Sequence, residues 1–194
     1  VLEKNRFEAF SDGVFAVIIT IMVLELRAPQ GPHLGDLGPL VPTFVAYALS
    51  FANVGIYWNN HHHMLRAADG IDGRSMWMNL HLLFWLSLIP FTTNWVGTYH
   101  REAIPTAVYG IVLWCAGAAY SLLAGALIRV NGSESALARA VRAGSKEKVS
   151  LVAYTVAIAA AFVAPWISDV LYVVVALMWF IPDRRVERQL SSAR

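Results

Sequence analysis

Polar side chains with chemical potential gather at the head of an apolar run. Arg6, Ser11 and Asp12 lie within two helical turns of one another, and Thr20 is the sole hydroxyl in the aliphatic stretch that follows, before Glu25. A carboxylate at Asp12 needs a partner, water or a proton, because charge in hydrocarbon is costly and persists only where it faces protein or water. Arg6, six residues earlier, is out of register for a regular helix pair. It reaches Asp12 only if the helix entry bends, or it serves a neighbouring subunit. His81 is the other ionisable candidate inside an apolar run, and Asp12 with His81 would suit the relay of a proton-coupled transporter. From Asp12 onward a stripe at helical spacing reads Gly13, Val17, Thr20 with Ile21, and Leu24, opposite Phe15, Ile18, Met22 and Leu26. Packing alone produces either stripe. The first is set apart by combining an acid, a small residue and one hydroxyl in an aliphatic line.

The elements that position these residues are dictated by solvent. The chain has 194 residues, 57% hydrophobic and only 14% charged, whereas charged residues make up about a quarter of an ordinary globular chain. That shortfall excludes a disordered chain, a secreted disulfide scaffold and a nucleic-acid module. Cys115 is the single cysteine and forms no internal disulfide. A spanning helix takes about twenty apolar residues, so six would use about 120 positions and leave about seventy for connections.

Six runs are expected as spans of one all-α transmembrane bundle: residues 7–26, 40–58, 76–96, 103–128, 149–164 and 166–181. The last two read as a helical hairpin with its turn near Ser168 and Asp169. The run from Phe7 is too long and too acidic for a cleaved leader. Segment 133–144 reads as a short solvated connector helix. With a cytoplasmic amino terminus, every basic residue except Arg27 and Arg101 falls inside, including Lys4, Arg6, Arg66, Arg74, Arg129 and the tail residues Arg184, Arg185, Arg188 and Arg194. A multi-pass cell-membrane protein with both termini cytoplasmic is the expectation.

Other signals read as structure. Val96-Gly97-Thr98-Tyr99 lacks the order of a carbonyl filter and is taken as a helix end. His61-His62-His63 reads as a cluster at the membrane interface rather than a metal site, since consecutive residues point to different helix faces. Asn53, Asn79 and Asn94 read as interhelical glue. Neither HExxH nor GxSxG occurs, so an enzyme is not expected. The lysines are Lys4, Lys146 and Lys148, none inside a span, which excludes a retinal photoreceptor, and no span carries the spaced arginines of a voltage sensor.

The string Arg6-Phe7-Glu8-Ala9-Phe10-Ser11-Asp12 resembles the R-x-x-x-F-S-D signature of the transmembrane protein 175 family of potassium channels. Leu88-Ile89-Pro90-Phe91-Thr92 is similar to a second stretch of that family. The resemblance implies a homotetramer with first helices around a central pore, potassium as the permeant ion and no cofactor. It implies a hydrophobic constriction at Val17, where the family carries a larger aliphatic residue, a selecting hydroxyl layer at Thr20, and an apolar lining continued by Ile21 and Leu24. It also implies a structural network of Arg6, Phe10, Ser11 and Asp12 with His81 and Trp85 on the third helix.

Overall fold

The computed structural model describes residues 4–143 and 145–180, with the side chains at 140, 142 and 143 outside that description. The described residues are all-α. Helices α1 (Lys4–Leu24), α2 (Val41–Arg66), α3 (Gly73–Ser87), α4 (Ile89–Thr98), α5 (Ala103–Asn131), α6 (Ala136–Ala143), α7 (Lys146–Ala161) and α8 (Pro165–Phe180) follow in order, with a 3-10 helix at Leu34–Leu40 leading into α2. Ile181 and the tail arginines lie outside the described residues.

The expectation of six spans is corrected here. Among the described residues only three segments are long and apolar enough to cross a bilayer: Lys4–Leu24, Leu34–Arg66 and Ala103–Asn131. The run at 76–96 is two helices, because Pro90 near the start of α4 carries no N–H and its ring crowds the carbonyl four residues back. The runs at 149–164 and 166–181 become 16-residue helices, about 24 Å long each against a hydrocarbon core of about 30 Å. Their turn is not at Ser168: the chain reverses over 162–164, and the Ser168 hydroxyl, inside α8, donates to the Ala157 carbonyl at 2.7 Å. The fourfold assembly goes with the six-span bundle, since the chain itself sets no number of copies.

The second expected run stops too early as well. Its helix carries through Asn59 and the three histidines to Arg66, so that polar stretch is helix rather than boundary. Segment 133–144 does contain the short helix α6, starting after Ser135, whose hydroxyl accepts from the Ala138 N–H.

Helix α5 is the centre of the bundle, packed against α3, α4, α7 and α8. Lipid is as apolar as a leucine side chain, so helices in a membrane are held by close packing and hydrogen bonds rather than by the hydrophobic effect. Small residues let α5 be approached closely: Ala116 and Ala119 are fully buried. Likewise Gly97 of α4 lies so close to α2 that a Cβ there would sit 2.8 Å from the Thr43 Cα. Helix α1 is peripheral and rests on α2, α3 and α4.

One end of the bundle collects the basic loops. The Lys4 ammonium donates to the Ala68 carbonyl at 2.7 Å, just beyond α2. At the same loop the Asn131 side chain, ending α5, accepts from the Asp69 and Gly70 N–H groups at 2.7 and 2.9 Å. Asp72 caps α3 there, its Oδ1 accepting both the N–H and the hydroxyl of Ser75 at 2.7 Å.

Candidate functional site

Helix α1 has two unlike faces. Phe7, Ser11, Phe15, Ile18 and Met22 are buried, at steps of three and four residues. Facing away are Gly13, Val17, Thr20, Ile21 and Leu24, all exposed, with Val17 at 56% and Leu24 at 76%. From Val17 to Leu24 the stripe climbs about 10 Å along the helix. Thr20 donates its hydroxyl proton to the Ala16 carbonyl at 2.8 Å, which turns the oxygen's remaining lone-pair capacity away from the helix backbone.

The buried face is locked by a polar relay across three helices. Ser11 Oγ donates to the Phe7 carbonyl at 2.9 Å and accepts from Asn79 Nδ2 at 2.9 Å. Asn79 Oδ1 lies 2.8 Å from His61 Nε2. With the amide nitrogen turned to Ser11, the amide oxygen is the acceptor, so His61 carries its proton on Nε2 in this arrangement. The His61 ring stacks 6.4 Å from Phe7 and lies 5.6 Å from Phe15. Ser11 is 0% exposed and His61 1%. Buried polar groups in an apolar surrounding persist only when paired, and here each is.

At the edge of that face Asp12 accepts from Trp58 Nε1 at 2.9 Å. Arg6 and Phe10 are exposed, and among the described residues Arg6 makes no ion pair; Lys4 pairs instead with Glu8 at 3.9 Å. His81 and Trp85 bond to one another at 3.4 Å on the outer side of α3. The residues brought together beneath α1 are therefore Ser11, Asn79 and His61, with Asp12 and Trp58 beside them. Trp58 and His61 were not in the sequence-based site. Continuing the buried spacing of α2 through Ser50, Asn53, Val54, His61, Met64 and Leu65 is the signal that would have found His61, had the polar stretch been carried as helix. Among the described residues no three His, Cys, Asp or Glu side chains converge on a metal site.

A multi-pass helical membrane protein is the class that this fold defines, and its polar groups tie helices together instead of forming a reaction centre. The sequence profile described as endosomal/lysosomal potassium channel TMEM175 matches residues 6–90. A potassium channel of Chryseobacterium sp. (strain P1-3) is 49% identical over 191 residues, covering 98% of this chain and 100% of that protein. One from Streptomyces collinus is 35% identical over 129 residues, covering 62% of this chain and 63% of its own. The crystal structure of a lysosomal potassium-selective channel TMEM175 homolog from Chamaesiphon minutus matches with a TM-score of 0.80 and 27% identity, over 92% of this chain and 97% of that one. The chain belongs to the TMEM175 family of potassium channels. This is a family of transport proteins, not of enzymes.

Proposed function

We propose that the chain is a subunit of a potassium-preferring cation channel in which α1 helices from several copies line the ion path. One observation carries the reading: the face of α1 bearing Val17, Thr20, Ile21 and Leu24 is left open, while its other face is locked to α2 and α3. Converging Val17 and Leu24 side chains form narrow apolar rings that shed water and so block ions until the ring widens. Thr20 oxygens between them replace part of an ion's hydration shell, which favours potassium because it gives up water more cheaply than sodium. Ser11 and Asp12 hold the helix, through Asn79 and Trp58, rather than touch the ion. Asp12 and Glu8 at one mouth and Glu25 at the other bias the path toward cations.

The end that gathers Lys4, Arg6, Arg66, Arg74 and Arg129 is assigned to the cytoplasm on the bias of basic residues toward that side. A proton-coupled transporter is not adopted, because Asp12 and His81 are engaged separately, with Trp58 and Trp85.

Planar-bilayer recording of the purified protein between potassium and sodium solutions tests the channel. Thr20→Ala should shift the reversal potential toward equal permeability, and Val17→Asn should raise the resting conductance. An unshifted reversal potential removes Thr20 from the path, and an unchanged resting current removes the Val17 ring.

A further inference from the structure

A second polar site lies away from α1. Between α2, α5, α7 and α8 is a cavity of ≈ 40 Å³ to which α1 contributes no residue. Its walls carry the rings of Tyr57, Tyr120 and Trp179, with Tyr57 and Tyr120 in edge contact at 6.3 Å. Glu147, partly exposed, joins the lining from the first turn of α7. Among the described residues its carboxylate is in no ion pair.

Two deeply buried side chains point to an occupant. Tyr154 and Asn53 are each only 4% exposed. The Tyr154 hydroxyl has no hydrogen bond among the described residues, and Asn53 spends its Nδ2 on Tyr109 at 3.4 Å, keeping Oδ1 unengaged. No fully covered side-chain oxygen or nitrogen among the described residues lacks a partner. Both residues line the cavity. Asn60, whose Nδ2 goes to the Ile56 carbonyl at 2.8 Å, adds another amide oxygen to the lining.

We propose that this cavity binds the protonated head of a small primary amine, an alkylammonium ion. An ammonium head brings three donors and no acceptor, matching a lining of tyrosine, amide and carboxylate oxygens. Aromatic faces add attraction for a cation. The Lys146 ammonium also lies near this wall, 5.8 Å from the Trp179 ring centroid. The space holds about three waters, which suits an ammonium head and rejects a tetraalkylammonium. A divalent metal would need more oxygen ligands than one carboxylate among aromatic walls supplies.

The test is equilibrium dialysis of radiolabelled methylammonium against the purified full-length protein in nanodiscs, in potassium-free buffer. Saturable binding of one methylammonium per chain is expected. Glu147→Gln, which removes the negative charge, and Tyr154→Phe, which removes the hydroxyl, should each weaken it about tenfold. Methylammonium should also raise the thermal unfolding midpoint of the unmodified protein more than that of either variant. No saturable binding overturns the proposal, as does binding that survives both substitutions. Potassium displacing methylammonium at equal concentration would make this an alkali-ion site instead. Tetramethylammonium competing equally well would refute recognition through N–H groups.

Discussion

Ser11 stands at a junction where one hydroxyl serves two helices: it donates within α1 and accepts from Asn79 of α3. Replacing it with alanine removes the acceptor and strands a buried amide N–H. Ser11→Ala should lower stability by about 1–3 kcal/mol, seen as a reduced unfolding midpoint in detergent, while Ser11→Thr keeps the oxygen and should lose much less. An unchanged midpoint for the alanine variant would mean that Asn79 finds another partner. Asp72 makes a different statement, at the rim rather than in the core. The N–H and hydroxyl of Ser75 hold its carboxyl below the ordinary range. A depressed folded-state value means that the cap's contribution is complete above the unfolded value, about 4, and is lost as pH falls through the folded one. Acid should therefore lower the midpoint of the unmodified protein in that window, and Asp72→Asn should flatten that part of the profile. The Ser11 relay was only half legible beforehand. Asn79 reads as glue from its type and setting, but His61 hides in a run of polar residues that looks like a helix end.

Helices in this protein are spaced by what their smallest residues permit. Gly97 lets α4 lie against the backbone of α2 at Thr43. A methyl there has no flexible side chain to displace, so the two helices must part. Gly97→Ala should cost about 1–3 kcal/mol, measured by thermal unfolding, and wild-type stability would show that the α2–α4 seam can shift freely. The apolar runs at the first, second and fourth positions were legible, since hydropathy over about twenty residues is a local property. The break at Pro90 does not register in such a count, whereas the shortness of the last two runs, 16 residues each, does. An average over residues is blind to one missing N–H, and the polar continuation of α2 is invisible to it for the same reason.

At the scale of the molecule, α1 is bound on one face and open on the other, a state suited to meeting a second copy. Cys115 is the chain's one cysteine, which makes a clean cross-linking test possible. In a Cys115→Ser background, Val17→Cys should give disulfide-linked dimers under mild oxidation in membranes, whereas Phe15→Cys, on the covered face, should not. Equal cross-linking at both positions would place α1 otherwise than proposed. Composition and helical period, both readable along the chain, settle that this is a membrane protein and that α1 has two unlike stripes. Which stripe is covered is another matter. It depends on α2 carrying His61 and α3 carrying Asn79 to the same point beneath Ser11. Such meetings follow from where helices cross, and crossings are set by packing between residues far apart in sequence, as with Gly97 and Thr43, so they emerge only in three dimensions.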